Sequence, residues 1–301
     1  MKYAILFVAM MVSLISFTGF AQESETDSLS DANLQAIIDS LTANLQYQTG
    51  TVELGEGVAT LHVPDGFKYL DSEQASYVLV DLWGNPPMET LGMLFPAEYN
   101  PLDNTAWAVN IEYSEEGYVD DEDAADIDYD ELLTEMQEDA LNSNEERLKQ
   151  GYQTIKLVGW ASQPHYDAQH QKLHWAKELK FSDAESNTLN YNIRVLGRKG
   201  VLVLNAIGSM NQYDEIQPKL APVMAGIDFN DGYRYSDFNP DLDDVATYGI
   251  GGLIAGKVLA KTGLIAVLLK MWKVLLIGAA AGITAIRRFF GGKSTKEDTT
   301  A

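Results

Sequence analysis

Residues 189–207, LNYNIRVLGRKGVLVLNAI, decide the fold of this chain. Both halves of the stretch are rich in β-branched and aromatic residues, which favour extended strands. Arg198-Lys199-Gly200 lies between the halves, and a short turn that contains glycine joins antiparallel strands. The stretch therefore predicts a β-hairpin.

Strands and a few helices are also predicted through the rest of residues 50–229. The strands fall at 51–54, 58–63, 90–96, 107–113, 154–162, 173–181 and 227–229, and the helices at 72–83, 129–150 and 214–225. Ser72 and Asp128 are the expected N-caps of the first two helices. Because strands follow one another directly, the sequence indicates an α+β fold, an antiparallel sheet flanked by helices, with an α/β/α sandwich as one arrangement of it.

Both ends of the chain carry apolar stretches. Residues 1–21 combine Lys2, an apolar core and small residues before Gln22, which is the pattern of a cleaved secretory signal peptide. Residues 248–290 contain no acidic residue and exceed the roughly 20 apolar residues that cross a bilayer, so they predict a C-terminal transmembrane anchor. Four lysines inside it leave two topologies open: one span with an amphipathic or re-entrant segment, or a helical hairpin.

The sequence thus predicts six segments. They are a signal peptide (1–21), an acidic N-terminal tether or helix (22–49), an exported α+β domain (50–229), a linker (230–247), a membrane anchor (248–290) and a polar tail (291–301). Glycines spaced four apart in the anchor, which let helices approach closely, predict self-association through Gly252, Gly256, Gly278 and Gly282.

Charge is distributed unevenly along the chain, whose net formal charge is −23. Residues 22–247 contain 42 Asp and Glu against 12 Lys and Arg, whereas residues 248–301 contain 2 against 8. An acidic domain repels nucleic acid and anionic lipid headgroups, and a basic tail favours the cytoplasmic side of a membrane. The chain has no cysteine, which excludes disulfides and thiolate chemistry.

The strongest metal candidate is the set His165, Asp167, His170 and His174, because imidazole and carboxylate suit a zinc- or copper-type ion. Their spacing matches no recognised signature, and residues 170 and 174 are expected on one strand face with 165 across a turn. A solvated hairpin with incidental histidines is the favoured interpretation. No cofactor is expected.

An acidic run at residues 112–131 holds 11 carboxylates in 20 residues. Asp126, Asp128 and Asp130 resemble the start of a calcium loop, but Glu131 and Gln137 stand where an EF-hand needs glycine and a bidentate glutamate. A solvated loop whose charge favours the following helix N-terminus is the simpler interpretation, with a loose calcium site as the alternative.

Several stretches resemble a known family. LVDLWGNP (79–86), TLGMLFP (90–96), NYNIRVLGR (190–198), WAKEL (175–179) and YGIGGLIAG (248–256) are similar to a bacterial group of membrane-anchored proteins classed as domain of unknown function 2167. The resemblance covers roughly residues 50–290 and implies a cell-envelope protein, with no catalytic residues to carry over. The closing order of hairpin, helix and Ile227-Asp-Phe229 is also similar to the photosystem-II oxygen-evolving-subunit-like sandwich.

Two functional hypotheses follow. The first is a non-enzymatic sensor, scaffold or interaction module, exported to the periplasm and held at the bacterial inner membrane, with lipid contacts through residues 248–290 and a protein partner in the envelope. The second is an envelope hydrolase that uses Asp or Glu carboxylates. Because no nucleophile, phosphate-loop or dinucleotide motif is present, the sequence favours the first.

Overall fold

The computed structural model describes residues 31–256, apart from 86, 104, 150 and 183, and describes side chains from residue 35 onward. The predicted signal peptide, most of the predicted anchor, including Gly278 and Gly282, and the polar tail lie outside these residues.

The described residues form ten strands and five α-helices. The strands are β1 (Thr51–Leu54), β2 (Ala59–His62), β3 (Phe67–Asp71), β4 (Gly92–Pro96), β5 (Ala108–Ser114), β6 (Ile155–Asp167), β7 (Lys172–Phe181), β8 (Thr188–Leu196), β9 (Val201–Ser209) and β10 (Ile227–Phe229). The helices are α1 (Asp31–Thr42), α2 (Ser72–Ser76), which continues as a π-helix (Tyr77–Leu82), α3 (Tyr129–Lys149), α4 (Tyr213–Ala225) and α5 (Ile250–Ala255).

Two antiparallel sheets organise these elements, which confirms the predicted α+β fold. The larger sheet has seven strands in the order β3-β4-β5-β9-β8-β7-β6, and the smaller has the order β1-β2-β10. The hairpin predicted at residues 189–207 is confirmed as β8 and β9, which pair from Leu196–Val201 to Thr188–Ser209. These two strands lie near the centre of the larger sheet.

Side chains alternate between the two faces of the larger sheet. On β8, Tyr191, Ile193 and Val195 lie on the front face, which packs against α4 and the smaller sheet. The back face carries two separate apolar clusters. Helix α2 covers one of them, over β3–β5, and α3 and α5 cover the other, over β6, β7 and the turn between β8 and β9. The middle of the back face lies between these clusters.

Both edge strands of the larger sheet are bonded by other parts of the chain. Gln48 pairs with Tyr69 of β3 through backbone N–O distances of 2.8 and 2.9 Å. On the opposite edge, the Asn144 side chain of α3 accepts from the Ile155 amide (2.8 Å) and donates to its carbonyl (2.9 Å). Strand β6 also changes register with β7 at three points, as bulged edge strands do.

Several details differ from the sequence predictions, and β3 was not predicted. Asp71, not Ser72, caps α2, because its carboxylate accepts from the Gln74 amide at 3.0 Å. The helix predicted at 72–83 changes to π-helical geometry after Ser76. Strand β6 runs five residues past the predicted end at residue 162, because bulges and an edge position accommodate Pro164.

Residues 230–247, predicted as a linker, lie against the domain. Tyr118 stacks on Phe238, with ring centroids 3.9 Å apart, and its backbone bonds to residues 244 and 246. Arg198 donates from Nε to Asp243, whose side chain is only 3% exposed, at 2.7 Å. This segment therefore belongs to the folded body.

The first residues of the predicted anchor also lie within this body. Ile250 and Ile254 of α5 are buried, at 0% and 1% exposure, in the cluster beneath α3. The helix ends at Gly256, which has a left-handed φ of 67°. Residues 250–256 of the predicted anchor therefore form a short capped helix that packs with the domain. Within residues 31–256, no helix has the length and apolarity needed to cross a membrane.

The glycines of α5 have roles inside the chain. A Cβ at Gly252 would lie 2.6 Å from the Cβ of Tyr248, so the close approach of these two residues requires glycine. Gly256 supplies the left-handed C-cap. Self-association through Gly252 and Gly256 remains a prediction.

A candidate binding groove

A row of three asparagines crosses the middle of the back face. Asn110 of β5 pairs in register with Asn205 of β9, which pairs with Asn192 of β8. Asn110 and Asn192 are only 6% and 3% exposed. A buried amide raises the free energy of the folded state unless it is hydrogen-bonded, so three amides on one row are unusual for the interior of a sheet domain.

Neighbouring groups satisfy part of this row. The Thr90 hydroxyl donates to Asn110 Oδ1 at 2.7 Å, and Asn110 Nδ2 donates to Glu112 Oε1 at 2.6 Å. Asn192 Nδ2 donates to the Asn190 carbonyl at 2.9 Å. These bonds fix the amides in place, so the polar floor is preformed.

Arg194 lies on β8 beside this row. Its Nη1 donates to Asn205 Oδ1 at 3.2 Å and to the Ile193 carbonyl at 2.8 Å, and its guanidinium lies 5.0 Å from the ring centroid of Trp175. Within the described residues, Nε and Nη2 of Arg194 have no hydrogen-bond partner. The buried indole N–H of Trp175 has no partner either. Donors therefore outnumber acceptors here.

Lys177 lies on the next row of the back face. It pairs in register with Asn190, whose other partner is Ile207 of β9. Across residues 31–256 with their gaps, the ammonium of Lys177 has neither a carboxylate nor another hydrogen-bond acceptor as partner. Ile207 is 48% exposed, which makes this end of the back face accessible to solvent.

We call this surface the central groove; it comprises Asn110, Glu112, Lys177, Asn190, Asn192, Arg194, Asn205 and Ile207. Strand alternation places all eight side chains on one face, and the cross-strand register makes them neighbours.

Burial changes the pKa of each ionisable group in the central groove. Burial, with a contribution from the nearby charge of Arg194, lowers the pKa of Lys177 to about 8. It lowers the pKa of Arg194 to about 10, against the attraction of Glu112 and Glu116. It raises the pKa of the Glu112 carboxyl, against the charge of Arg194 and the bond from Asn110. The groove therefore holds two cations and one carboxylate in a domain that is otherwise strongly acidic.

The predicted metal candidates lie elsewhere. His165 and His174 are register partners on β6 and β7, with ring centroids 5.3 Å apart. His174 Nδ1 lies 3.0 Å from the Tyr191 hydroxyl on the front face, and burial, with the charge of His165, lowers the His174 pKa. His165 lies across the β6–β7 turn from His174, as expected, but the expected place of His170 beside His174 on one strand is wrong, because His170 lies in that turn.

The other two candidates lie in the turn after β6. Asp167 Oδ2 lies 2.6 Å from His170 Nδ1, and this contact lowers the pKa of Asp167. His170 also lines a surface pocket of about 350 Å³ together with Arg234 and Tyr235. The structure thus separates the four residues into two pairs. No set of three or more His, Asp or Glu ligands is gathered anywhere in the described part of the chain.

The acidic run has structural bonds that the sequence did not indicate. Asp128 caps α3 as predicted, because Oδ1 accepts from the amides of Asp130 (3.0 Å) and Glu131 (3.1 Å). Asp121 accepts from the Tyr166 hydroxyl at 2.6 Å and from that of Tyr235 at 3.1 Å. The run is therefore a packed segment at these positions rather than a solvated loop throughout.

Sequence reasoning missed Lys177, Arg194 and the asparagine row. The signal was the polar alternation Asn190-x-Asn192-x-Arg194, which ordinarily marks the solvent face of a half-buried strand. Helix-covered apolar clusters flank this face on both sides, so its polar residues lie between the two clusters instead. Trp107 and Trp175 are core residues at 0% and 1% exposure.

The fold and the groove together define a class: α+β domains with an antiparallel sheet whose central strands carry a polar, cation-bearing groove between two helix-covered clusters. The sequence matches the model of the family described as "Protein of unknown function (DUF2167)" over residues 46–284, and the chain belongs to that family. No curated protein matches it.

Three solved structures show a partial likeness. Cyanobacterial PsbP (CyanoP) from Synechocystis sp. PCC 6803 is 8% identical, with a TM-score of 0.34, and the match covers 62% of this chain and 92% of that chain. The Ran-binding protein Mog1p of Saccharomyces cerevisiae is 12% identical, with a TM-score of 0.34, and the match covers 65% of this chain and 100% of that chain. LpqN, involved in cell envelope biogenesis of Mycobacterium tuberculosis, is 14% identical, with a TM-score of 0.33, and the match covers 64% of this chain and 96% of that chain. TM-scores of this size do not establish a common fold.

Proposed function

We propose that this protein is a membrane-tethered, exported binding module, and that its ligand occupies the central groove. The observation that carries the proposal is the preformed polar floor beside two cations, Lys177 and Arg194, whose remaining donors lack partners in the described residues. Buried charged groups without partners destabilise the folded state, and such groups are concentrated at binding and catalytic sites.

The sequence supports the proposed membrane tether and the proposed periplasmic location. The apolar composition of residues 257–290 supports a membrane segment, and residues 1–21 support export of the domain to the periplasm. The acidic charge of residues 22–247 supports a domain that stays off anionic headgroups and meets its ligand in solution or on a partner.

The groove chemistry supports binding rather than hydrolysis. Hydrolysis by carboxylates uses an acid and a base or nucleophile on opposite sides of the scissile bond. Among the groove residues defined above, Glu112 is the one carboxylate, and Asn110 already donates to it at 2.6 Å.

A photocrosslinking experiment tests the proposal in the full chain in its own membranes. A photoreactive residue replaces Ile207 in the groove or, as the control, Leu148, which is 60% exposed on α3. We expect a discrete adduct from position 207, none from 148, and loss of the adduct in Asn205→Ser, which removes the central amide. Equal adducts from both positions, or none from 207, would contradict the proposal.

A further inference from the structure

We infer that the central groove is a receptor for an oxyanion, with the carboxylate or phosphate group of the bound molecule held between Lys177 and Arg194. This inference rests on the proposed binding role and names the chemistry of the ligand.

The balance of donors and acceptors is the first argument. Lys177 has three N–H donors, and Arg194 has donors on Nε and Nη2; none of these has a partner among the described residues. An oxyanion has several acceptor lone pairs and no obligatory donor, so it matches this set, whereas a cationic ligand would meet two like charges.

The positions of these groups are the second argument. Lys177 and Arg194 lie on adjacent strands of one sheet face: Arg194 pairs with Leu173 on β7, four residues before Lys177. The asparagine row runs between their two rows and provides neutral amides beside the cations. Glu112 lies two strands from Arg194, separated from it by Val203, and the two side chains form no ion pair at 4.0 Å or closer. Glu112 and Glu116 attract Arg194, but neither forms an ion pair with it, so neither takes up its free N–H donors by direct contact.

Reductive methylation of lysines, read by peptide mass spectrometry on the full chain in detergent at neutral pH, tests the inference. We expect Lys177 to react faster than Lys180, an exposed lysine of the same strand, in chloride buffer. Phosphate or acetate at matched ionic strength should slow Lys177 about tenfold, because an anion that raises its pKa by about one unit reduces the neutral amine by that factor. The salt that protects at the lower concentration identifies the group as phosphate or carboxylate.

A matched pair of variants controls for folding. Ile207→Glu places a carboxylate at an exposed groove position, and it should slow Lys177 methylation in chloride and remove the effect of phosphate. Ile207→Gln, of the same size and without charge, should behave as the wild type does. Both substitutions fall at a half-exposed site and leave the core intact.

Two results would overturn the inference. One is a Lys177 rate that is equal in chloride, phosphate and acetate; the other is equal protection of Lys180, which means a general ion effect. If position 207 forms a crosslink but either of these results is obtained, the protein is a binding module whose ligand is not held as an oxyanion. If phosphate protects Lys177 but position 207 forms no crosslink, the anion site is supported and the proposed function, a ligand bound in the groove, is contradicted.

Discussion

At the scale of single residues, the central groove is a departure from the rule that buried charges are paired. Lys177 and Arg194 share one sheet face, and burial lowers the pKa of both. A lysine whose pKa is lowered on folding destabilises the folded state while it remains charged, because the unfolded chain holds the proton more tightly.

Lys177→Met should therefore stabilise the protein at pH 7. The stability penalty of the charged lysine is present in full below pH 8, and it disappears as pH rises from about 8 towards the ordinary lysine value of 10.5. The penalty is about 3 kcal/mol, the free energy that corresponds to a change of the lysine pKa from 10.5 to about 8. We expect the melting temperature of Lys177→Met to exceed that of the wild type in chloride buffer at pH 7, and the difference to shrink by pH 10.

Lys180→Met is the matched control, since Lys180 is an exposed lysine three residues further along β7. It should show no pH-dependent difference from the wild type. A Lys177→Met difference that is the same at both pH values would mean that the ammonium is not desolvated in the folded state.

At the scale of elements, the acidic run holds the short helix α5 in place. The two carboxylate oxygens of Asp123 accept from the amides of Ile250 (2.8 Å) and Gly251 (3.0 Å), the free donors at the helix N-terminus. The Tyr248 hydroxyl donates to Glu116 of the same run. The acidic run, which the sequence indicates is a solvated loop, thus hydrogen-bonds to the first residues of the predicted membrane anchor.

Asp123→Ala should loosen α5 and leave the sheet intact. Loss of the hydrogen bonds at a helix N-terminus destabilises the helix by about 1 kcal/mol. If amides exchange through local opening of the helix, this corresponds to roughly fivefold faster exchange. We expect faster hydrogen–deuterium exchange in peptides that cover residues 250–256, and no change in β8 and β9. Asp126→Ala, an exposed acid of the same run, is the control; equal acceleration in both variants would show that general charge loss, not the cap, is responsible.

At the scale of the whole molecule, the folded body continues to Gly256, so the boundary with the predicted membrane segment lies later than the sequence suggested. Asp243, Ile250 and Ile254 are all buried parts of this body. A fusion or truncation near residue 237 would therefore remove contacts that the domain uses.

Reporter fusions after Gly256 and after Ala301 test the topology. Arg287, Arg288, Lys293 and Lys296 follow the apolar stretch, and positive charges of this kind stay in the cytoplasm. We therefore expect a reporter that is active only in the periplasm to work after Gly256 and to fail after Ala301. Activity from both fusions would establish a helical hairpin, and activity from neither would contradict export.

The hairpins and helices were predictable because each has a local signal. Arg198-Lys199-Gly200 joins β8 and β9, and Asp128 caps α3, as the sequence indicated. The groove was not predictable, because its rows are formed by β5, β7, β8 and β9, and only the strand order makes Asn110 a neighbour of Asn205. His170 was misplaced because it lies in the turn between β6 and β7, so it does not share a strand with His174.

The bonded edges of the larger sheet matter for a domain that is expected to be exported. An open edge strand is a template on which another copy can add its own strand, the first step of aggregation. Gln48 bonds both backbone groups of Tyr69 on β3, and Asn144 bonds both backbone groups of Ile155 at the start of β6. A second copy cannot add a strand across these two residues without displacing Gln48 or Asn144, and the same holds for a partner that recognises proteins by adding a strand.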